Sequence, residues 1–394
     1  DIEGFPIASD EDIIALSQPP HCTICPNPFI EDFIREHGTP YDEATDNYHC
    51  EPFSADISEG KHDPIYMAHS YHTKVPYKAI MRYILHYTNP GDVVLDGFCG
   101  TGMTGVASQM CGCPDADFRY QLENEMRGIE WGARHAILSD LSPAAIFIAL
   151  NYNLPIDVQK FEKETNRILS ECETEYGWMY ETQHVDSTGK AIIGYGGKPV
   201  LGRINYTVWS DVLVCPSCSK ELVYWDVAVD AKNGKVLDVF RCPHCGSVVK
   251  KTECAHAQST NFDEELQTIT STARQVPVMI SYRVGSKRYQ KTPDSLDLDV
   301  INRIESAKVP FRVPTDEIPD GYNTAQPKRS HGITHVHQFY TKRNLIALAV
   351  YWDKVQHVVD ERIRWYLCYT LTSVFSRSHK LNRYMPNHFR HVGP

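Results

Sequence analysis

The stretch GDVVLDGFCGTGMTGVA, residues 91–107, decides the fold of this chain. Val93, Val94 and Leu95 form an apolar run expected as a buried strand, and the run ends in an acid, Asp96. A turn rich in glycine (Gly97, Gly100, Gly102) follows, and then a run of small residues suited to a helix. A strand that breaks into glycines at its carboxyl end lets a nucleotide-like ligand approach the backbone of an α/β sheet. The turn lacks the lysine-serine pair of a phosphate-binding P-loop, and a carboxylate at the strand end repels phosphate. Dinucleotide and ATP phosphates therefore fit poorly, whereas a cationic or hydroxyl-bearing ligand fits well.

S-adenosylmethionine, with its ammonium, sulfonium and ribose, answers that description. Upstream lie Ser70-Tyr71-His72-Thr73-Lys74-Val75-Pro76, an amphipathic helix expected over about 77–87, and Asn89-Pro90-Gly91-Asp92 as its stop. This order, His-x-Thr-x-Lys-x-Pro type, helix, then Pro-Gly-Asp-x-Val-Leu-Asp-x-Phe-x-Gly-x-Gly, resembles the bacterial amino-methylating DNA methyltransferases that act on adenine N6 or cytosine N4. The resemblance runs over about residues 60 to 155 and more loosely beyond. It implies a Rossmann-like class I methyltransferase sheet. It also implies that Asp96, Gly97, Phe98, Cys99, Gly100, Thr101 and Gly102 cradle the methionine part of the cofactor, with His72, Thr73 and Lys74 beside them. Residues 132–143 read as a second strand ending in Asp140, an acid placed to accept both ribose hydroxyls, with Glu130 as the runner-up. Cys99 invites a nucleophile reading, but methylation of an exocyclic amine needs no covalent catalyst, so Cys99 is expected to pack passively.

The chain has 394 residues and thirteen cysteines, an odd number in a large chain, several of them in Cys-x-x-Cys pairs that point to metal rather than disulfides. Cys215-Pro-Ser-Cys218 and Cys242-Pro-His-Cys245 are two knuckles, each followed by a small residue, Ser219 or Gly246. Between them, residues 222–229 and 235–240 are expected as strands joined by an Asn233-Gly234 turn. Two knuckles on a hairpin make a zinc ribbon, with Cys215, Cys218, Cys242 and Cys245 closing a tetrahedral structural Zn²⁺ site. Cys254 is spare. Cys22-Thr-Ile-Cys25, with His21, His49 and Cys50 nearby, lacks a matching second knuckle and is read as free thiols; Cys111-Gly-Cys113 is read as structural.

The formal net charge is −11, which argues against a protein that coats nucleic acid with its whole surface. Residues 1–60 hold fourteen Asp or Glu against a single basic residue, Arg35, so this arm is expected to pack on protein or turn away from DNA. From Leu371 to Pro394 there is no acid, while Arg377, Lys380, Arg383 and Arg390 alternate with His379, Tyr384, His388 and Phe389. Arg283, Lys287, Arg288 and Lys291 form a second basic stretch around Gly285-Ser286, and Lys328-Arg329 a third. Bases interleaved with aromatics suit phosphate contact and stacking, so double-stranded DNA is the expected partner. No apolar run is long enough to cross a bilayer and no signal-peptide pattern opens the sequence, so a cytoplasmic protein is expected.

The expected organisation is an acidic arm (1–65), a cofactor-binding core (66–156), an insertion (157–256) with the ribbon at about 213–248, and a basic hairpin and helical region (257–394) on the DNA side. Within these, a polar helix is expected over about 158–175, strands over 194–214, a hairpin over 277–291, and a loop over 310–327. One helical rhythm runs from Phe339 to about Phe375, with Trp352, Trp365 and Tyr366 expected in the core.

Amino-methylating enzymes carry an Asp/Asn/Ser-Pro-Pro-aromatic motif that accepts hydrogen bonds from the target amine and stacks on the flipped base. Here Pro-Pro occurs once, as Gln18-Pro19-Pro20-His21, a weak candidate for the motif: the Gln18 carbonyl can accept one hydrogen bond and His21 can stack, but both flanking residues depart from the pattern. With half of the expected sheet not yet supplied, the chain reads as the N-terminal portion of a longer methyltransferase of a restriction-modification or phage-defence system. The alternative is a cofactor- and DNA-binding subunit completed by a partner chain. A methyltransferase acting on RNA or protein is a third, more distant reading.

Overall fold

A computed structural model describes residues 35, 42–45, 47–56, 59–230 and 233–384, and the chain divides into two compact units, 1–155 and 156–394. Both are mixed α/β. Among the described residues no helix is long and apolar enough to cross a membrane. The candidates Gln18, Pro19, Pro20 and His21, and the Cys22–Cys25 pair, lie outside the described residues, as do His388, Phe389 and Arg390.

The first unit is built on a parallel strand pair, β1 (Val93–Asp96) and β2 (His135–Leu138), in register Val93↔His135 to Asp96↔Leu138. Helix α1 (Tyr77–Tyr87) precedes β1; α2 (Met103–Met110) and α3 (Ala116–Glu125) connect the strands; α4 (Pro143–Asn153) follows β2. Helix α1 forms because Tyr77, Met81, Ile84 and Leu85 recur at helical spacing, and it buries them with Met103, Val106 and Leu122 in one core. The core is stapled by Arg82, whose guanidinium pairs with Glu59 and Glu125 at 2.6 Å each. Part of the acidic arm thus folds back on protein. Arg134, 2% exposed, is a second brace: it donates to the carbonyls of Thr88, Glu130 and Gly132, tying the end of α1 to the start of β2.

Strand alternation leaves the pair unevenly covered. Val94 packs towards the helices, while Val93, Leu95 and Ile137 on the opposite face are 61%, 72% and 57% exposed. The strand of residues 132–143 ends at Leu138, two residues before Asp140, which therefore sits in the loop beyond the sheet.

The second unit centres on β4 (Leu201–Val214), fourteen residues long, paired antiparallel with β13 (Gln275–Val284), which continues through Gly285-Ser286 into β14 (Lys287–Lys291). The hairpin over 277–291 is thus present, with Val284 opposite Lys287. Residues 194–200 are a turn with an isolated Ile193↔Pro199 bridge rather than strand, and β4 begins at Leu201. Helices α5 (Val158–Tyr176), α7 (Ser295–Glu305), α8 (Tyr322–His331), α9 (Lys342–Gln356) and α10 (Glu361–Ser378) complete the unit, with α6 (Tyr224–Ala228) in the ribbon.

Four expectations fail here for identifiable reasons. Residues 222–229 are not one strand: β5 (Glu221–Val223) gives way to α6, whose first turn is pinned by Trp225 N–H donating to Ser210 Oγ at 2.9 Å. The rhythm from 339 to 375 is two helices, because Asp360 accepts from Ile363 N–H and starts a new one. Trp352 and Trp365 are 43% and 39% exposed rather than core, since Val350, Val355, Ile363 and Leu367 fill the buried faces. Residues 322–327 are helical, with Pro327 inside α8.

Candidate cofactor site and metal centre

The carboxyl ends of β1 and β2 carry the first site. Asp96 and Leu138 are register partners, and beyond them the two segments stay zipped: Ser139 N–H donates to Asp96 O and Cys99 N–H to Ser139 O, both at 2.9 Å. This pairing brings the loop 97–102 against Asp140. One Asp140 oxygen accepts from Gly100 N–H at 2.8 Å and the other from Ser142 N–H at 2.9 Å. Asp96 is held in the same way, accepting from Phe98 N–H at 3.2 Å and from Thr104 Oγ1 at 2.5 Å. Charge-assisted bonds of this kind contribute roughly 1.5–3 kcal/mol each, so both carboxylates are fixed in direction. Each keeps lone pairs for a further donor.

The two acids set a negative potential at the loop, and Cys99 registers it. Burial, then the charges of Asp96 and Asp140, push its thiol above the ordinary value, so Cys99 is protonated and not a nucleophile at neutral pH. That potential also bears on ligand choice. Gly100, Gly102 and Gly105 stand at Gly-x-Gly-x-x-Gly spacing, so spacing alone leaves a dinucleotide open. Packing accounts for two of the three: a Cβ on Gly102 would lie 2.7 Å from Ala149 Cβ, and one on Gly105 would lie 2.8 Å from Leu138 Cδ1. Two fixed carboxylates disfavour a pyrophosphate there and favour a cation.

The other candidates fall into place unequally. Gly97 is exposed with nothing within 4 Å of where a Cβ would stand, and Phe98 beside it is 84% exposed. Thr101 is buried, side chain and backbone together. His72 and Thr73 are exposed. Lys74 turns inward, its ammonium donating to the carbonyls of Tyr66 and His69 and lying 4.3 Å over the Tyr66 ring. Burial brings its pKa down to about 8, and it serves as a brace for the preceding segment. Tyr71, not singled out from sequence, places its ring edge 3.5 Å from the Cβ position of Gly100. Thr104 was also missed; its signal is a hydroxyl two residues past Gly102, in the first turn of α2. Glu130 precedes β2 by five residues, at the opposite end of the pair from Asp96, so the runner-up ribose role falls away.

The second site is the four-cysteine cluster. Cys215 Sγ lies 3.9 Å from Cys245 Sγ and Cys218 Sγ 3.8 Å from Cys242 Sγ, with all four within 4.8 Å of one another. Zn–S bonds of about 2.3 Å in a tetrahedron give S···S edges of about 3.8 Å, so the donor set fits Zn²⁺. The two knuckles repeat each other atom for atom. Cys215 N–H donates to Lys220 O and Ser219 N–H to Cys215 O; likewise Cys242 N–H donates to Ser247 O and Gly246 N–H to Cys242 O. Both put the residue after the second cysteine in the left-handed region, Ser219 at φ 57° and Gly246 at φ 75°. Cys254, partly buried beside the cluster, donates to Lys250 O and is no fifth ligand. Among the described residues no other group of three or more metal-ligating side chains converges; Cys50 instead contacts His86 Nε2 at 3.3 Å.

The basic stretches divide. Arg283, Lys287 and Arg288 are exposed, but Lys291 is buried between Asp294 and Asp297 at 2.7 and 2.8 Å. Lys328 pairs with Asp320 at 2.6 Å. Lys291 is thus removed from any phosphate-binding face.

No curated protein and no solved structure matches the chain. Residues 21–113, which include β1 and the whole glycine loop and end at Cys113, match the family model described as DNA methylase. That match, over about a quarter of the chain, supports a likeness to the amino-methylating DNA methyltransferases.

Proposed function

We propose that residues 66–156 seat S-adenosylmethionine for methylation of a base amine in DNA, at adenine N6 or cytosine N4. The observation that carries this reading is the pair of carboxylates at the carboxyl side of the two strands, Asp96 at the end of β1 and Asp140 in the loop after β2, held at the glycine loop by backbone N–H groups and Thr104. When bound, S-adenosylmethionine supplies an electrophilic methyl group on a sulfonium. Asp96 contributes a fixed negative charge for the cationic methionine part, and Asp140 accepts from the ribose hydroxyls while keeping its bond to Gly100. Phe98 and Leu141, 84% and 75% exposed, offer apolar walls for the adenine ring. Gly97 leaves open space where a side chain would otherwise stand. Cys99 keeps its proton and packs.

The four cysteines would hold one structural Zn²⁺ and order the ribbon at about 213–248 in the insertion 157–256. Thiolates fill all four positions, which leaves no site for substrate on the metal. Residues 257–394 would carry the DNA side. A role in restriction-modification or phage defence enters this proposal only through the family.

A second reading draws on the bare face of β1 and β2. All-parallel sheets are covered on both faces, yet Val93, Leu95 and Ile137 are exposed. The proposed enzyme therefore needs further strands and a covering layer, from the same polypeptide or from a partner chain that also brings the catalytic Pro-Pro motif. In the latter case this chain is a cofactor-binding subunit.

Calorimetric titration of the chain with S-adenosylmethionine, NAD and ATP tests the proposal. Donor binding that is lost in Asp96→Ala, with no NAD or ATP binding, supports it. Binding of NAD in preference, or donor affinity unchanged in Asp96→Ala, overturns it.

A further inference from the structure

The second unit contains a cavity of about 310 Å³ that neither the methyl-donor site nor the ribbon uses. Its floor is the middle of β4, its walls are α7 and the start of α9, and its rim is the segment that follows α10. The chemistry of its lining is lopsided. Arg343, Arg377 and Lys380 all open onto it, and none has a carboxylate within 4.0 Å among the described residues. Glu305 is the single acid in the lining.

Arg343 is the informative member. One guanidinium nitrogen reaches only Thr207 Oγ1, at 3.4 Å, and its buried Nε has no hydrogen-bond partner. Asn382, on the rim, likewise keeps a buried Oδ1 without a donor. Buried polar groups are nearly always satisfied, and a guanidinium short of acceptors in an enclosed space is a site waiting for an anion. Burial lowers the pKa of both Arg343 and Lys380 and outweighs the opposing charge of Glu305. The rest of the lining is aromatic. The Tyr180 ring is already faced by Arg343 and Arg203, but Tyr206, Trp209 and Tyr384 add ring surface.

The site is held together by its own frame. Asn344 Nδ2 donates to Ser378 O at 2.7 Å, Tyr180 OH to Asn344 Oδ1 at 3.2 Å, and Lys380 N–H to Phe339 O at 2.8 Å. These bonds fix the segment carrying Lys380 against α9, so the cations are positioned before any ligand arrives.

Cations short of acceptors, ring faces and a volume at the small end of ligand cavities describe one chemical class, a phosphate joined to a nucleoside. We propose that this cavity binds a nucleoside phosphate, with the phosphate on Arg343, Arg377 and Lys380 and the base against Tyr206, Trp209 and Tyr384. The unit can come from a free nucleotide or from an unpaired nucleotide within a DNA strand. The inference does not rest on the methyl-donor reading, since every residue in it lies in the second unit.

The test uses the whole chain, without methyl donor, and fluorescein-labelled (dT)12 followed by anisotropy, with thymidine monophosphate and an unlabelled blunt duplex as competitors. Arg377→Gln/Lys380→Gln, both outside the packed cores, should raise the Kd for (dT)12 at least tenfold. The salt dependence should also flatten by about 1.4 in the log–log slope for two lost single-strand phosphate contacts. Arg343→Gln should act in the same direction. The charge-matched control Lys190→Gln/Lys198→Gln, on exposed turns, should change Kd less than threefold, and circular dichroism should show all variants folded. Competition by thymidine monophosphate assigns the site to a free nucleotide. Oligonucleotide binding that depends on the cavity but resists the mononucleotide assigns it to a strand. No binding, equal loss in the control, or equal preference for the duplex overturns the inference. Failure here with donor binding intact leaves the methyltransferase reading untouched, and the reverse outcome leaves this one untouched.

Discussion

Gly97→Ala and Gly102→Ala make the same chemical change five residues apart in one loop, and the structure assigns them opposite consequences. At Gly102 the backbone is left-handed, φ 72°, and an added Cβ would lie 2.7 Å from both Ala149 Cβ and Asn153 Nδ2. A left-handed conformation costs an L-residue about 1–2 kcal/mol, and overpacking of a close helix contact typically about 1–3 kcal/mol. Gly102→Ala should therefore destabilise the first unit by roughly 2–5 kcal/mol, a large share of the roughly 5–15 kcal/mol that holds a domain together. In a thermal scan that is a fall of roughly 4–20 °C for a domain of this size. At Gly97 a Cβ meets nothing within 4 Å. Gly97→Ala should leave the melting temperature within about 1 °C while weakening S-adenosylmethionine tenfold or more, because the new methyl enters the space assigned to the donor. Scanning calorimetry for both variants and donor titration for Gly97→Ala read the two effects separately. The reasoning is refuted if Gly102→Ala melts with the wild type, or if Gly97→Ala binds the donor as tightly as the wild type does.

Three further outcomes are expected. Cys218→Ser should lower the zinc content of purified protein from one atom per chain to none and expose residues 213–250 to hydrogen exchange, while α1 to α4 stay protected; retained zinc would reject the four-thiolate site. Ser219→Gly should stabilise the ribbon by about 0.5–1 kcal/mol, because Ser219 holds a left-handed φ of 57°, and Ser219→Val should weaken it; chelator competition would expose the absence of either change. Cys111 is fully buried, and burial pushes its thiol up to about 11. Between about pH 9 and 11 the unfolded thiol has lost its proton while the folded one keeps it, so this contribution to stability falls as pH rises. Urea titrations of wild type and Cys111→Ala should therefore differ by about 2 kcal/mol less at pH 10.5 than at pH 8, and a constant difference would contradict the burial.

The parts of this chain legible in sequence are those where one residue type has one physical use. A glycine run after an apolar strand, two Cys-x-x-Cys knuckles and a Gly-Ser turn between basic strands each left a local mark that no tertiary contact had to supply. The misreadings share a different cause. Val358 and Val359 carry the apolar rhythm across the gap between α9 and α10, so periodicity alone sees a single helix; the readable sign was Asp360, a helix-starting residue in mid-run. Residues 222–229 have strand-like composition, yet a hydroxyl on β4, Ser210, captures the backbone there and turns it helical. Lys291 looked like part of a phosphate-binding face until Asp294 and Asp297, which start α7, closed around it. The cavity in the second unit was invisible for the same reason, since its cations converge from segments nearly forty residues apart.

The uncovered strand pair has a practical consequence for anyone handling the protein. Two parallel strands with apolar side chains facing water, and with backbone donors and acceptors free along their outer edges among the described residues, form a template that another copy can extend. Light scattering should grow steeply with concentration. Replacing Leu95 and Ile137 by threonine, a β-branched residue suited to a strand, should quiet that self-association without disturbing the loop beyond it.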